Sequence, residues 1–338
     1  MTTRVAIVGT TAWGSTLGIL LASKGFDVKL CARTEAEAER LNRDRKNAAH
    51  LPYAVFPDSL RATASPGEAM ANTDLVILAV PSQTMRENLR KLRPCIQHSA
   101  LLLSVSKGVE IETTRRMSEV IGEEIGSAGG IAVLSGPNFA KEVTLSMPTA
   151  TVVASADAGV AKAIQQMIST RYFRAYTNED VIGVELGGAL KNVIALAVGM
   201  SDGLGFGDNT RAALITRGLA EVTRLGVAAG AKPLTFSGLA GMGDLVATCT
   251  SQLSRNRYVG QELAGGRPLK EILSTMTGIA EGVTTTIAAL TLAQNLHVEM
   301  PIAEQVHRVL FEGVSVKEAV PALMERELKQ EVSPDIFG

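Results

Sequence analysis

An open α/β domain with a mainly parallel sheet, followed by an all-α domain, is the fold class that the sequence predicts. Three observations carry it. Short β-branched runs alternate with helical patterns through the first half, a glycine turn sits at the first strand–helix junction, and after about Tyr176 strand-like runs give way to long helical stretches. Alternating strands and helices are what a parallel sheet with helical crossovers requires. At 338 residues the chain is long enough for two domains, each with its own core, and the expected division is 1–180 and 181–338.

The elements follow in order. Val5-Ala-Ile-Val8 reads as a buried parallel strand ending at Gly9, and Trp13–Ser23 carries apolar residues at helical spacing. Asp27–Cys31 reads as a second strand and Glu35–Arg45 as an exposed charged helix. Leu75–Val80 is a further buried strand, stopped by Pro81. More strands are expected at Leu101–Val105, Ile131–Leu134 and Thr151–Ala154, with a helical segment at Thr114–Glu124. The second half reads as helices at Val181–Met200, Thr210–Ala229, Val283–Asn295 and Ile302–Leu310. No proline- or serine-rich linker separates the halves, so the boundary near 180 is expected to be a tight junction.

Composition narrows the function. Lys plus Arg number 33 against 34 Asp plus Glu, a formal charge of −1, which argues against nucleic acid or anionic lipid as the main partner. Cys31, Cys95 and Cys249 lie far apart without a CxxC pair, and the histidines are scattered, so neither a disulfide framework nor a metal site is expected. The compartment implied is reducing and cytoplasmic. The uncharged run between Arg4 and Lys24 is long enough to mimic a membrane span, but Gly9, Gly14 and Gly18 interrupt it, and no signal-peptide pattern is clear. It reads instead as strand, turn and helix.

Gly9-Thr-Thr-Ala-Trp-Gly14 sits where a dinucleotide fingerprint belongs. Gly9 would permit the tight turn, Gly14 the packing of helix on strand, and the helix N-terminus would receive a pyrophosphate. Thr11 stands where the second glycine of that pattern lets phosphate approach the backbone, so the contact distance there is open. The motif reads either as a structural turn without a ligand or as a coenzyme loop, and its place at the first strand–helix junction leads to the expectation of a Rossmann-like, doubly wound first domain. At the end of the second strand, Arg33 reads either as a solvated surface side chain or as the seat of an NADP 2′-phosphate, with Glu35 past the strand end. Ser106-Lys107-Gly108 and Ser135-Gly136-Pro-Asn138-Phe-Ala140 follow strands at the sheet's C-terminal edge and read as ligand loops or as plain turns.

In the second half, Lys191 lies inside an apolar, small-residue helix. Desolvation there would make its neutral amine available as a proton acceptor, whereas a lysine at a helix flank would simply reach to solvent. Asp244 and Thr248 would share a helix face. Ser254-Arg255-Asn256-Arg257 offers a hydroxyl, a guanidinium and an amide suited to a phosphate dianion, or is a basic surface turn.

Taken together, SGPNFAKEV, ELGGALKNVIALAVGMSDGLGFGDNTRAALITRGLAE, GLAGMGDLVATCTSQLSRNR and the later IAEG resemble bacterial glycerol-3-phosphate dehydrogenase, over nearly the whole chain. The resemblance implies an NAD(P)-dependent oxidoreductase of phospholipid precursor synthesis that interconverts dihydroxyacetone phosphate and glycerol 3-phosphate, using NADP or NAD, and a homodimer is expected. It implies Lys191 as general acid/base, and Lys107, Gly136, Asn138, Lys191, Asp244, Ser254, Arg255 and Asn256 at the substrate. Gly9, Thr11, Trp13, Gly14, Arg33, Lys107, Ala140, Arg255, Ile279 and Glu281 would meet the cofactor. Thr11 and Asn138 depart from the usual glycine and the usual Ser or Thr. A lysine-using β-hydroxyacid or phosphogluconate dehydrogenase would share the two-domain plan, but SRNR and GLAGMGDL argue against it. A nucleotide-sensing scaffold would have no need of Lys191, Asp244 and Arg255 together.

Overall fold

The computed structural model describes residues 2–126 and 129–325, so the last residues of the expected second domain lie outside the described ones. By internal contacts the chain divides into two compact units: residues 1–107 with 116–181, and 108–115 with the chain from 182 on. The short segment 108–115 thus joins the helical unit, and Val109 enters its core.

The first unit is built on an eight-stranded sheet. Its strands are β1 (Arg4–Val8), β2 (Asp27–Cys31), β3 (Leu60–Thr63), β4 (Leu75–Leu78), β5 (Leu101–Ser104), β6 (Ile131–Ser135), β7 (Thr149–Ala154) and β8 (Phe173–Asn178). They lie in the order β3-β2-β1-β4-β5-β6-β7-β8, and every pairing is parallel except β6 with β7. Alternate side chains of the central strands feed two cores. Val5, Ile7, Leu75 and Ile77 face one, while Ala6, Val8, Val76 and Leu78 face the other. Burial on both faces explains why these strands read as continuous apolar runs.

The order reverses between β1 and β4, and ligands in open α/β sheets bind beyond the strand ends at such a point. Helix α1 (Ala12–Ser23) leaves the end of β1, and α2 (Glu35–Asp44) leaves the end of β2. Two strands were not expected from the sequence, β3 and β8. Leu60-Arg-Ala-Thr63 carries an exposed Arg61, and Phe173–Asn178 alternates buried with exposed residues, so both edge strands lack the apolar run of their central neighbours.

The second unit contains no strand among its described residues. Its helix Val181–Gly203 is apolar and long enough to cross a membrane, but 83% of its apolar window is buried inside the protein, which makes it the core helix of this unit. Glu221, on the helix Asp208–Ala228, is only 2% exposed. Its carboxyl oxygens accept the N–H groups of Ile302 (2.9 Å) and Ala303 (3.4 Å), in the first turn of the helix Pro301–Phe311. Burial pushes this carboxyl up to about 7, against the two N–H groups and Arg224, which favour the anion, and with Glu304 adding to the rise.

Because Glu221 titrates near 4.5 when unfolded, folding favours its protonated form. The stability it contributes is complete below pH 4.5 and is lost as the pH rises to about 7. Glu221→Gln stays neutral throughout. In urea unfolding, the variant's stability relative to the wild type should therefore grow by roughly 3 kcal/mol across that window. A difference that stays constant with pH would contradict the assignment.

Candidate active site

Each unit carries its own set of chemistry-bearing residues. In the first, Gly9 adopts φ +108°, and a Cβ there would lie 2.7 Å from the Ala79 carbonyl oxygen, so a side chain is excluded twice over. Gly14 faces Ala79 Cβ at what would be 3.1 Å. Thr11 needs no special backbone, since its φ is −68° and its ψ 168°. Its hydroxyl turns inward, donating to Ala79 O at 3.1 Å and accepting the Gly14 N–H at 3.0 Å as the N-cap of α1. The departure from glycine is thus absorbed as a helix cap. The first N–H groups of the helix, those of Ala12 and Trp13, have no partner inside it, as at any helix N-terminus, and such a terminus suits a pyrophosphate.

The Trp13 ring is committed elsewhere. It packs on the sheet core with its centroid 6.2 Å from that of Phe173, and its Nε1 is buried without a hydrogen-bond partner among the described residues. Asn47, which the sequence reading did not single out, donates Nδ2 to Thr10 O (2.7 Å) and to Ser15 Oγ (2.9 Å), tying the glycine loop to α1. Beyond β2, the Arg33 side chain is 89% exposed and lies 3.8 Å from Glu37.

Lys107 and the loop after β6 form one cluster. Lys107 Nζ donates to Gly136 O at 2.9 Å and to Asn138 Oδ1 at 3.0 Å. Asn138 Nδ2 in turn donates to Thr151 Oγ1 (3.1 Å), and Thr151 donates to Ser135 O (3.0 Å). The amide in place of a hydroxyl therefore bridges Lys107 to β7. Ala140 opens the short helix Ala140–Thr144, which packs on α1, and its carbonyl accepts the Thr144 hydroxyl at 2.7 Å. With the Gly9 turn, the α1 N-terminus and these loops at the C-terminal edge of one sheet, the first unit fits a dinucleotide.

In the second unit, Lys191 is 6% and Asp244 2% exposed. Lys191 Nζ donates to Asp244 Oδ1 and, at 2.7 Å, to Thr248 Oγ1. Asp244 and Thr248 sit one turn apart on the helix Asp244–Thr250, so one helical face presents both acceptors. Lys191 is thus buried among apolar neighbours, as expected, and the structure adds a carboxylate in contact, which favours the charged amine and opposes the cost of burial.

The helix Arg255–Ala264 reaches the same place because two glycines let helices touch backbone to backbone. A Cβ on Gly260 would lie 2.7 Å from Met200 N, and one on Gly199 2.9 Å from Arg257 Cα. Ser254 caps this helix, accepting the Arg257 N–H at 3.2 Å. Asn256 donates Nδ2 to Asn192 Oδ1 at 2.8 Å and accepts the Gly282 N–H at 3.0 Å, which joins three segments. Arg257 is engaged by Asp202 at 2.7 Å.

Arg255 differs from its neighbours. It is exposed, and among the described residues its guanidinium donates no hydrogen bond inside the protein. It rests where a side chain on Gly278 would come within 2.5 Å of Nη1. Surrounding protein lowers it from the ordinary arginine value and Glu281 opposes that, so it remains a cation at neutral pH. Ile279, next to Gly278 in sequence, is 49% exposed. The unit thus offers a buried, oriented amine and a cationic fork open to an anion.

Comparison with known proteins gives the same direction along the whole chain. Residues 4–161 match the family model described as NAD-dependent glycerol-3-phosphate dehydrogenase N-terminus, and residues 180–321 match the corresponding C-terminus. A glycerol-3-phosphate dehydrogenase (NAD(P)+) of Corynebacterium aurimucosum is 52% identical over 329 residues, covering 97% of this chain and 99% of that protein. One from Dehalococcoides mccartyi is 50% identical over 333 residues, covering 98% and 93%. The crystal structure of glycerol-3-phosphate dehydrogenase from Coxiella burnetii superposes with a TM-score of 0.93 at 38% identity, covering 96% of this chain and 99% of that one.

Proposed function

This chain belongs to the NAD-dependent glycerol-3-phosphate dehydrogenase family, and from that premise we propose how its residues carry the reaction. It is an NAD(P)-dependent oxidoreductase that reduces dihydroxyacetone phosphate to sn-glycerol 3-phosphate, a precursor for glycerophospholipid synthesis. The division of labour we assign is coenzyme binding to residues 1–180 and substrate binding with catalysis to 181–338. We also place the enzyme in the cytoplasm, as a homodimer.

The observation that carries the reading is the Lys191 amine fixed by Asp244 and Thr248. Hydride comes from the reduced nicotinamide of the bound coenzyme. As the ketone becomes an alcohol, negative charge develops on its oxygen, and Lys191 Nζ donates a proton there; in the reverse direction the neutral amine removes it. Asp244 and Thr248 hold the amine in one orientation, so little reorganisation is needed at the moment of transfer. The Arg255 guanidinium grips the phosphate, assisted by Ser254 and Asn256 at the start of its helix. In the first unit we assign Lys107, Gly136 and Asn138 to the substrate and Gly9, Thr11, Trp13, Gly14, Arg33, Lys107 and Ala140 to the coenzyme. In the second we assign Ile279, Glu281 and Arg255 to the coenzyme.

Lys191→Ala should lower kcat by about 10²–10⁴-fold while leaving coenzyme affinity within a few-fold, as loss of a general acid does. Stopped-flow reduction together with coenzyme titration checks both halves. Turnover close to wild type would contradict the role.

Arg255→Lys keeps the charge but loses the planar fork. The KM for dihydroxyacetone phosphate should rise at least about tenfold, whereas the poor turnover of unphosphorylated dihydroxyacetone should barely change. Equal losses on both substrates would mean that Arg255 serves the coenzyme or the fold.

A further inference from the structure

We propose that Glu37 is a coenzyme-selecting residue: its carboxylate, fixed between the ends of β1 and β2, opposes Arg33 at the adenosine ribose and keeps NADH competitive with NADPH. The inference rests on the reading of the first unit as the coenzyme site, and deepens it.

β1 and β2 are neighbours in register, with Val8 opposite Cys31, so Gly9-Thr10 and Ala32-Arg33 leave the sheet side by side. In a site of this kind the residue at the end of the second strand reads the ribose: a carboxylate accepts the 2′-hydroxyl of NAD, and an arginine takes the 2′-phosphate of NADP. Here the strand end supplies Arg33. The carboxylate comes from the first turn of α2 instead, yet it arrives at the same place. Glu37 Oε2 accepts the backbone N–H of Arg33 itself at 3.0 Å, and Oε1 accepts the Thr10 hydroxyl at 2.7 Å.

The two charges are held very differently. The Glu37 side chain is 15% exposed and anchored at both oxygens, on a backbone whose N–H is capped by Thr34 Oγ1 at 3.3 Å. The Arg33 side chain is 89% exposed and meets Glu37 only at 3.8 Å, an ion pair of the kind that contributes little. Burial works against the Glu37 anion, but the Thr10 hydroxyl, the Arg33 N–H and the guanidiniums of Arg33 and Arg40 outweigh it, and the carboxyl lies below its ordinary range. A 2′-phosphate dianion therefore meets a fixed negative charge as well as a mobile positive one. A 2′-hydroxyl meets an acceptor and no repulsion.

The test is to titrate NADPH and NADH separately against the purified apoprotein. The fluorescence of Trp13, the chain's single tryptophan, serves as the signal, with calorimetry as a check. Glu37→Gln removes the charge at nearly constant shape. It should lower the ratio of NADPH to NADH dissociation constants about tenfold, the effect of one short-range charge pair partly screened by water. Thr10→Val breaks the hydrogen bond but keeps the charge, and should leave the ratio within about twofold even if both affinities fall. Arg33→Ala should move the ratio the opposite way.

If Glu37 only braced the loop, Glu37→Gln would weaken both coenzymes alike, and an unchanged ratio overturns the proposal. A ratio that ignores Arg33→Ala as well would instead overturn the reading of the β2 end as the ribose site. Should Glu37→Gln be too unstable to titrate, Glu37→Ser carries the same expected direction and the same refutation.

Discussion

A charged amine buried in an apolar helix must be answered by an opposite charge, and in this enzyme Lys191 is answered by Asp244. Either group alone at 6% or 2% exposure would be a buried ion without a counter-ion, and removing one partner of such a pair costs about 3–5 kcal/mol. The pair therefore constrains much of the helical unit. The core helix must bring Lys191 to the start of Asp244–Thr250, and Thr248 must follow one turn later to take another of the amine's protons. The crossing at Gly199 and Gly260 sets Arg255–Ala264 against the core helix, and the Asn256–Asn192 bond pins its first turn beside the lysine. The contacts that stabilise the buried pair are the same ones that orient the Lys191 amine.

The first unit answers a different problem, that of holding glycine-rich backbone still without filling the space a coenzyme needs. Its solution is to brace the loop from behind. Thr11 reaches back to Ala79 and caps Gly14, Asn47 takes the Thr10 carbonyl, and Glu37 takes the Thr10 hydroxyl. Side-chain hydrogen bonds thus replace some of the conformational economy of a second glycine. The Lys107–Asn138–Thr151 chain does the same for the loop after β6.

Much of this was legible in the sequence because it depends on local pattern. The central strands, the glycine turn at Gly9 and the long helices of the second half all announce themselves through composition and spacing. Strands β3 and β8 did not, because an edge strand such as Leu60–Thr63 carries an exposed arginine and no apolar run. Lys191 and Arg255 stood out through their unusual surroundings, a lysine inside an apolar helix and an arginine in a polar SRNR stretch. The bracing residues were not: Asn47, Glu37 and Asn192 act across long sequence separations, and nothing in their neighbours marks them. Trp13 shows the converse, a residue prominent in a motif whose half-buried ring packs against the sheet core beside Phe173.

We assign to Asp244 the task of keeping Lys191 a proton donor, and the pH dependence of kcat for ketone reduction in Asp244→Asn checks it. Reduction needs the protonated amine, so activity is lost as pH rises through its titration. Without the carboxylate the ammonium is less favoured, and the limb should move to lower pH, with kcat reduced even on the acidic side. A limb at the wild-type position with kcat near wild type would contradict the account.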